Sequence, residues 1–526
     1  MTRLCVPIFV NTLEQAKLDV GAAIEAGADI VELRIDALES SEIPRQIISA
    51  FDVPFILTCR PEWEGGHSTL SADARASLLA EIAPLDETTL LDVELKTTQT
   101  TSIQDLKNRL IISSHDFTGR PSLLTTIFQE LTYGPAEIAK LVWTARSIRD
   151  NVEAFELLKA KLKPTIALCM GEAGLISRVL AKKFGAFLTF ASLRDESATA
   201  PGQVTIADMK RLYRWDAIKP TTKMYGVVGS PVMHSMSPAI HNAAFEEVGH
   251  DGVYLPMLVQ PGYESFKAFM ETFLAFAPLD LAGLSITIPH KENALRYLKE
   301  KGAAVEELAE RIGTVNTIIV DRGVSPAPGT LGEGLGEGAQ LRGLNTDYAA
   351  ILDTITSAMN ISRDDLANYR VAVIGAGGTG RTAVAALAHY GATVVVYNRT
   401  LERADALVKE FNGKRGKVVA ARMEKLCNSC CQIYVNTTSV GMHPNVHASP
   451  SGDSPPAFSA DTLVFDTIYN PLRTKLLEQA AAAGAKTVGG VEMFVRQAAG
   501  QFGAWTGMPA PRDVMQRVIH HKLGNP

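Results

Sequence analysis

The chain has 526 residues, of which 46% are hydrophobic and 21% charged, and its formal net charge is −6. This length exceeds what one hydrophobic core supports, so roughly two or three domains are expected. The mildly acidic balance offers no electrostatic footprint for nucleic acid, and no apolar stretch is long enough to span a bilayer.

The N-terminus and the cysteines bear on where the protein works. Residues 1–10 read directly as a strand, so we expect no signal or transit peptide and a cytoplasmic protein, or one of the plastid stroma if a leader has been removed. The cysteines are few and irregularly spaced, which predicts free thiols in a reducing compartment. Cys427, Cys430 and Cys431 lack a second ligand pair at zinc-like spacing, so ordinary packing is preferred there and no metal is expected.

The first region, from Leu4 to about Tyr213, alternates short apolar runs with helical patterns. This alternation is typical of parallel strands covered by helices, and about eight such units predict a (β/α)₈ barrel. The expected strands are Leu4–Val10, Ile30–Arg34, Phe55–Cys59, Leu90–Glu94, Leu110–His115, Ile138–Trp143, Thr165–Met170 and Phe187–Ala191, and the expected helices include Leu13–Ala26, Ala72–Ile82 and Val152–Leu162.

Charged side chains lie at or near the carboxyl ends of these strands, where barrel enzymes place their active sites. A charge inside an apolar strand is costly unless it is paired or used, so their convergence on one rim predicts a site. They are Glu32, Arg34, Arg60, His115 and Lys140.

Lys140 is the candidate nucleophile because it stands in the apolar run Ile138–Trp143. Apolar walls and nearby cations disfavour an ammonium ion and free the lone pair for imine formation. A lysine that only extends its amine to solvent explains the pattern equally well. His115 could move a proton beside an imine, or could be structural. Arginines on the rim suit a small carboxylate substrate.

Several segments of this region resemble type I 3-dehydroquinate dehydratase, and the resemblance covers nearly all of residues 4–213. They are 31–36 (Val-Glu-Leu-Arg-Ile-Asp), 59–66 (Cys-Arg-Pro-Glu-Trp-Glu-Gly-Gly), 113–115 (Ser-Ser-His), Lys140, 170–172 (Met-Gly-Glu) with 176–178 (Ile-Ser-Arg), and 200–203 (Ala-Pro-Gly-Gln).

The resemblance implies a role for each matching residue. Lys140 would form a Schiff base with the substrate ketone, His115 would be the general acid and base, and Arg178 would hold the carboxylate. The remaining matches are substrate contacts (Glu32, Arg34, Arg60 and Gln203) and an acid near the histidine (Glu64). Thr199 departs from the serine usual in the family; since the hydroxyl is kept, we expect changed packing and retained function.

A glycine-rich turn marks the last region, at Gly375-Ala376-Gly377-Gly378-Thr379-Gly380. It follows an expected strand, Val371–Ile374, and precedes an expected helix, Arg381–His389, which is the context of a dinucleotide site. A tight turn without a ligand is the less favoured alternative. After the next strand, Thr393–Tyr397, the chain offers Asn398, Arg399, Thr400 and Arg403 in place of an acid, which favours NADP over NAD.

Upstream of this turn, Lys291 and Asp347 could exchange the proton that accompanies a hydride transfer. A helix cap or a surface salt bridge is as good an explanation of each residue alone. Ser235 and Ser237, one residue apart before a proline, could bind a carboxylate or cap a helix.

Residues 223–520 together resemble shikimate dehydrogenase. The resemblance implies that Lys291 and Asp347 are catalytic and that Ser235 and Ser237 bind the carboxylate. Further matches are substrate contacts (Thr287, Asn316, Tyr469 and Gln497), the adenosine-phosphate site (Asn398, Arg399, Thr400 and Arg403), and other cofactor positions (Thr437, Met442, Gly490 and Met493). Two loops, Gly323–Gln340 and His443–Ala460, are expected to be mobile, with His443 and His447 in solvent.

The chain as a whole therefore resembles a bifunctional dehydratase–dehydrogenase of the shikimate pathway. We expect a TIM barrel over residues 1–213, a linker over 214–223, a substrate-binding α/β domain over 224–348 completed by helices of 490–526, and a Rossmann NADP-binding domain over 349–489. The implied reactions convert 3-dehydroquinate to 3-dehydroshikimate and then, with NADPH, to shikimate. The partners would be these small molecules, without nucleic acid or membrane.

Three alternatives stay open. The first half could be another imine-forming barrel enzyme, such as an aldolase. The second half could act on quinate. It could also bind NADPH as a sensor without turnover, although intact Lys291 and Asp347 argue against that.

Overall fold

The computed structural model describes residues 1–38, 41–82, 88–103, 106, 109–197, 199–323, 339–413 and 415–524. The loop expected at Gly323–Gln340 lies almost wholly outside the described residues. The chain divides into two compact units: residues 1–235 with 251–281 form the first, and residues 236–250 with the described residues after 281 form the second.

The first unit is built around a parallel barrel, as predicted. Its strands are hydrogen-bonded in the order β7-β6-β5-β4-β3-β2-β1-β8, and the Phe187 amide donates to the Thr165 carbonyl at 2.8 Å where β8 meets β7. The strands are β1 (Arg3–Phe9), β2 (Ile30–Arg34), β3 (Phe55–Thr58), β4 (Thr89–Glu94), β5 (Arg109–Asp116), β6 (Ile138–Thr144), β7 (Thr165–Met170) and β8 (Leu188–Phe190).

Helices follow most of these strands and cover the barrel. The first begins where the Thr12 side chain accepts a hydrogen bond from the Gln15 amide, which satisfies one of the free N–H groups of its first turn. The helices are α1 (Leu13–Glu25), α2 (Glu42–Ile48), α3 (Ala72–Ile82), α4 (Leu95–Thr98), α5 (Leu124–Tyr133), α6 (Asp150–Ala160) and α7 (Leu175–Val179).

One buried apolar side chain from each strand fills the amino-terminal end of the barrel. Since side chains alternate along a strand, the residues two and four positions later point into the same interior, nearer the carboxyl ends. The apolar layer consists of Cys5, Ile30, Ile56, Leu90, Ile111, Ile138, Ile166 and Leu188.

The segment 214–223, expected as a short linker, is packed against the barrel. Trp215 is buried in a short 3₁₀ turn, Trp215–Ala217. The buried ammonium of Lys183 donates to the carbonyls of Pro220 at 2.7 Å and Thr222 at 3.0 Å, and pairs with Asp280 at 2.7 Å. These bonds fix the segment that leads into the next strand.

Strands and helices continue through the rest of the chain. The strands are β9 (Lys223–Gly229), β10 (Gly252–Leu258), β11 (Leu281–Ile286), β12 (Ala304–Val305), β13 (Thr317–Asp321), β14 (Gln340–Leu344), β15 (Arg370–Ile374), β16 (Thr393–Asn398), β17 (Lys417–Arg422), β18 (Ile433–Asn436), β19 (Leu463–Asp466) and β20 (Lys486–Val488). The helices are α8 (Ser237–Glu247), α9 (Tyr263–Ala275), α10 (Lys291–Glu300), α11 (Glu307–Ile312), α12 (Thr346–Met359), α13 (Gly378–His389), α14 (Leu401–Phe411), α15 (Lys475–Ala482), α16 (Gly490–Thr506) and α17 (Arg512–Gly524).

In the first unit β9 and β10 pair in parallel. In the second, β13 is antiparallel to both β11 and β14, and β12 is parallel to β14. Six strands form a parallel sheet in the order β17-β16-β15-β18-β19-β20. The strand order reverses between β15 and β18, and the carboxyl ends of such a pair form the usual nucleotide crevice.

One expectation for the second unit needs adjustment. Helix α13 begins at Gly378, within the glycine turn, three residues earlier than expected. Residues 443–460 contain no helix or strand, but Ser449 and Ser451 hydrogen-bond to Gln479. His443 and His447 are exposed, as predicted. Among the described residues, no helix combines the length and hydropathy that crossing a membrane requires.

Candidate active sites

The polar interior of the barrel follows from its strand register. Glu32, Asp92 and Lys140 each lie two residues after a member of the apolar layer, and Arg34, Glu94 and His115 lie four residues after one. Neighbouring strands bring Lys140 beside Ser113, and Ser113 beside Glu94. The predicted convergence at the carboxyl ends of the strands is confirmed.

Lys140 is buried, with 4% of its surface exposed, so the alternative of a solvent-directed amine is wrong. The expectation that cations and apolar walls surround the amine is wrong for the charge, because the nearest charged groups are carboxylates. Its nearest partner is Oδ2 of Asp92, 2.7 Å from Nζ, with Glu32 at 3.9 Å. The apolar wall is the ring of Phe190, whose centroid lies 4.5 Å from Nζ. The carboxylate of Asp92 is therefore the ion-pair partner of the lysine.

Arg60 connects the lysine to the histidine. Its guanidinium lies 2.7 Å from Asp92, 2.9 Å from Glu64 and 3.1 Å from Glu94, and it donates to the Ser113 hydroxyl at 2.8 Å. Burial raises the pKa of Asp92, but Arg60 and Lys140 outweigh burial, so this pKa lies well below its usual value. Asp92 is thus a fixed negative charge beneath the lysine.

His115 and Glu64 face each other across the cavity mouth. The Glu64 carboxylate accepts the His115 backbone N–H at 2.8 Å and lies 3.7 Å from Nδ1 of the imidazole. Burial and the charge of Arg60 lower the pKa of His115 to about 4, against the opposing effect of Glu64. Burial also raises the pKa of Glu64, but His115 and Arg60 lower it further than burial raises it. At neutral pH the imidazole is uncharged and can accept a proton.

A cavity opens above these groups, and polar and apolar side chains both line it. All nine residues that sequence analysis assigned to the first site line it: Glu32, Arg34, Arg60, Glu64, His115, Lys140, Arg178, Thr199 and Gln203. Thr199, the departure from the family pattern, keeps its hydroxyl bonded to the Gln203 amide at 3.1 Å.

Arg178 is the cation in this cavity that lacks a protein partner. It is 1% exposed, and its Nε has no hydrogen-bond acceptor among the described residues. Burial lowers its pKa to about 10. Arg34, by contrast, is paired with Asp36 at 2.6 Å. A buried guanidinium without a protein carboxylate is arranged to receive one from a ligand.

Four members of this site were given no role from the sequence: Asp92, Glu94, Ser113 and Arg75. Arg75 pairs with Glu94 at 3.1 Å behind Arg60. Asp92 and Glu94 satisfied the same criterion as the residues that were found, a charge within an apolar strand. Arg75 lies on a helix, where an arginine carries no such signal.

In the second unit, Lys291 Nζ lies 2.6 Å from Asp347 Oδ2, so the predicted pair is brought together. Lys291 begins α10, and Asp347 lies in the first turn of α12. Asn345 caps α12 by accepting the amides of Asp347 and Tyr348, and its side-chain amide donates to Thr314. The cap fixes the orientation of the aspartate.

Two of the predicted substrate contacts of the second unit, Asn316 and Gln497, hydrogen-bond to each other. Asn316 donates to Thr346 at 3.1 Å and to Gln497 at 3.4 Å. Tyr469 stacks on Phe494 at 5.1 Å, and burial raises the pKa of its hydroxyl. Thr287 follows β11 and accepts the His290 amide through its carbonyl. Ser237 begins α8, whereas Ser235 belongs to the first unit.

The glycine turn has one packed side and one open side. A Cβ on Gly380 would lie 2.2 Å from the Gly375 carbonyl, and Gly375 itself has a φ of 106°. A Cβ on Gly377 or Gly378 would meet nothing within 4 Å. Gly375 and Gly380 therefore close the turn, and the amides at Gly377 and Gly378 stay open to an anion at the start of α13.

Two of the other predicted cofactor residues contact the backbone beside the glycine turn. Asn398 accepts the Ala376 amide at 3.2 Å, and Thr437 donates to the Ile374 carbonyl at 2.8 Å. Arg399, Thr400 and Arg403 are exposed after β16. Gly490 and the buried Met493 begin α16, and Met442 is partly exposed. The open amides and the exposed arginines fit a phosphorylated dinucleotide.

Sequence profiles of known families match along the chain. The profile described as Type I 3-dehydroquinase matches residues 4–220. The shikimate dehydrogenase substrate binding domain matches residues 227–318, Shikimate / quinate 5-dehydrogenase matches 357–448, and the Shikimate 5'-dehydrogenase C-terminal domain matches 490–520.

Individual relatives agree with these matches. The bifunctional 3-dehydroquinate dehydratase/shikimate dehydrogenase of Arabidopsis thaliana is 36% identical over 98% of this chain and 84% of its own. The NADP(+) shikimate dehydrogenase of Methanosarcina barkeri is 36% identical over 57% of this chain and 99% of its own. A Thermus thermophilus shikimate 5-dehydrogenase, solved with NADP(H) and shikimate, is 31% identical over 57% of this chain and 99% of its own, with a TM-score of 0.45.

Proposed function

This chain belongs to the family of bifunctional 3-dehydroquinate dehydratase/shikimate dehydrogenases, and we propose that its barrel removes water from 3-dehydroquinate through an imine on Lys140. It is an enzyme of the shikimate pathway with a dehydratase half and an NADP-dependent shikimate dehydrogenase half. The roles of individual residues below are proposals that rest on their geometry.

In the barrel, Lys140 attacks the ketone carbon once its amine has lost a proton, and loss of water leaves an iminium ion. His115 then takes a proton from the carbon next to the iminium carbon. The electron pair of that C–H bond moves toward the iminium nitrogen, and the hydroxyl leaves as water after taking a proton from His115. Hydrolysis of the imine releases 3-dehydroshikimate and restores Lys140. Asp92 holds the lysine nitrogen in place and balances its charge in both the ammonium and the iminium forms.

The single observation that carries the dehydratase proposal is the buried Lys140 in one cavity with a neutral His115 and an unpaired Arg178. The arginine receives the substrate carboxylate as a bidentate partner. Glu32, Arg34, Arg60 and Gln203 line the same cavity and contact the ring hydroxyls and the carboxylate.

In the second half, the Lys291–Asp347 contact carries the proposal. Lys291 donates a proton to the carbonyl oxygen of 3-dehydroshikimate as that carbon is reduced, and Asp347 holds the ammonium in position. Asn316, Gln497 and Tyr469 orient the ring hydroxyls, with Thr287 beside them, and Ser237 at the start of α8 binds the carboxylate.

The cofactor site fits NADPH, which supplies the hydride when bound. The open amides at Gly377 and Gly378 would hold the pyrophosphate, and Arg399, Thr400 and Arg403 would hold the 2′-phosphate. Thr437, Met442, Gly490 and Met493 would border the nicotinamide end.

The division of labour is proposed along the expected boundaries: barrel 1–213, linker 214–223, substrate-binding domain 224–348 with 490–526, and Rossmann domain 349–489. A reducing compartment, the cytoplasm or a plastid stroma, is supported by six unpaired cysteines. A net charge of −6 supports small molecules as partners and no nucleic acid.

The test is a coupled assay on the full chain, from 3-dehydroquinate with NADPH to shikimate, together with two variants. Lys140→Ala should abolish water loss and leave shikimate oxidation nearly unchanged, and Lys291→Ala should do the reverse. Loss of both activities in either variant contradicts independent sites. Borohydride trapping alone does not separate a dehydratase from an aldolase, because both form imines; water loss does.

Quinate is the second candidate substrate for the dehydrogenase half, because the profile that matches residues 357–448 is described for both shikimate and quinate enzymes. Comparing the reduction of 3-dehydroshikimate with that of 3-dehydroquinate decides between them. We expect faster reduction of 3-dehydroshikimate. No NADPH oxidation with either substrate would support a sensor.

A further inference from the structure

A second cavity, of about 510 Å³, lies in the second unit away from the catalytic residues. It is bounded by the carboxyl-terminal ends of α13 and α14 and by α11. The glycine turn begins α13 at the other end of that helix, and twelve residues of helix span roughly 18 Å. The cavity is therefore separate from the cofactor site.

The cavity combines an apolar floor with a positive rim. Leu308, Ala385, Ala388 and Phe411 supply the floor, and the cations Arg311 and Arg415 stand at the rim. The acid of the lining, Glu410, is already neutralised by Arg381, which contacts both of its carboxylate oxygens at 2.6 and 2.5 Å. The charge presented to a ligand is thus positive.

Hydrogen bonds fix the donors that face the cavity. Arg311 lies 3.4 Å from Nδ1 of His389, and because a guanidinium only donates, Nδ1 is the acceptor in this contact. Burial, with Arg415 and Arg311, lowers the pKa of His389, which agrees with a neutral ring. Arg311 also pairs with Glu307 at 2.8 Å. Arg415 is exposed, and no ion pair is found for it within the described part of the chain.

We propose that this cavity binds a small organic monoanion with an apolar body, of which an aryl carboxylate is the simplest form. Small-molecule sites usually combine an apolar wall with a few placed polar groups, and this cavity has both. Arg415 takes the carboxylate as a bidentate partner, and the ring of the ligand packs on Phe411 and Leu308.

The cavity is joined to the catalytic residues by short backbone links. Arg381 donates to the Ile312 carbonyl, at the end of α11, at 2.6 Å. Three residues later, the Val315 amide donates to the carbonyl of Lys291 at 3.0 Å. Asn316, a proposed substrate contact, follows directly.

The test uses benzoate as the probe on the full chain with labelled histidine, and follows the imidazole signal of His389, assigned with His389→Gln. Acetate has the charge without the ring, and benzamide has the ring without the charge. We expect benzoate to shift this signal in a saturable way, and acetate and benzamide to bind at least about tenfold more weakly, because each lacks one of the two interactions.

Two variants locate the effect. Arg415→Ala should weaken benzoate by about tenfold or more, the loss expected for a charge-assisted contact. Arg512→Ala removes an exposed arginine of α17 and should leave the dissociation constant unchanged. The proposal is overturned if benzoate leaves the His389 signal unmoved, if acetate binds equally well, or if Arg415→Ala binds like the unaltered chain. Because the readout is local to His389, it does not depend on either catalytic activity.

Discussion

Lys140 must serve two opposed requirements, and Asp92 bears on both. A nucleophilic amine has to be neutral, yet the amine of Lys140 lies 2.7 Å from a carboxylate, the usual partner of a cation. The same carboxylate stabilises the cationic iminium that forms later, so it favours the intermediate as well as the resting state. We infer that Asp92 is a catalytic residue of the barrel, since it touches the reacting nitrogen.

Asp92→Asn tests this role. Loss of a charge-assisted hydrogen bond is worth on the order of 2 kcal/mol, so dehydratase kcat/KM should fall by roughly 10- to 100-fold. The amount of imine trapped by borohydride during turnover should fall with it. Asp195→Asn, an exposed aspartate of the same unit, serves as the control. An unchanged yield of trapped imine would exclude Asp92 from imine formation.

The acid limb of the dehydratase pH profile reports on His115. Its pKa of about 4 means that the base form persists well below pH 6. We expect kcat/KM for 3-dehydroquinate to stay nearly constant down to about pH 5 and to fall as pH approaches 4. Glu64→Gln removes a group that raises this pKa, so the limb should move to lower pH in that variant. A limb near 6.5 would contradict the buried, uncharged imidazole.

The same residue links stability to pH. Between its unfolded pKa of about 6.5 and its folded pKa of about 4, the unfolded chain binds a proton that the folded chain does not. The contribution of His115 to the free energy of unfolding is therefore full above this window and is lost as pH falls through it.

At the scale of the element, the two-residue period of the strands places most of the barrel site. One apolar residue per strand shows which side of the strand faces the barrel interior. Glu32 and Lys140 lie two residues after such a residue and His115 lies four after one, so all three also face inward. The same count reaches Asp92 and Glu94, which the sequence analysis left out. Position along a strand is local information, so it can be predicted.

Other features depend on contacts between distant segments, and the sequence does not contain them in a readable form. Arg75 reaches Glu94 from a helix, and Asp92 becomes the partner of Lys140 only when β4 and β6 share one interior. The residues that line the cavity were therefore predictable from the sequence. The charge beside the Lys140 amine was not, because cations were expected there and the nearest group is a carboxylate. The start of α13 shifted for a local reason, since the glycine turn supplies the first helical residues.

The residues at the end of β16 support the proposed preference for NADP. Asn398 ends the strand and the exposed Arg399 follows it, so neither position carries a carboxylate that would repel a 2′-phosphate. Arg399→Asp should raise KM for NADP by roughly 10- to 100-fold, because an attractive contact is lost and a repulsive one is gained. KM for NAD should change much less. Arg517→Asp is the control, and equal effects on the two cofactors would refute the phosphate assignment.

At the scale of the whole molecule, the buried Lys183 ties the barrel to the segment that follows it. Lys183→Met would leave the carbonyls of Pro220 and Thr222 without their buried donor. The first unit should lose on the order of 2 kcal/mol, seen as a lower urea midpoint for loss of dehydratase activity. Lys223→Met, an exposed lysine of β9, should leave the midpoint unchanged. Equal midpoints for the two variants would mean that the contacts of Lys183 with Pro220 and Thr222 contribute no stability.

The apolar layer at the amino-terminal end of the barrel has a consequence for traffic through the enzyme. The eight side chains of the apolar layer close that end of the barrel. Substrate and product therefore both pass through the opening at the carboxyl ends of the strands. Product that accumulates at this opening would compete with substrate for entry. The reductase on the same polypeptide consumes this product. It therefore lowers product inhibition in a barrel with a single opening and favours the forward reaction.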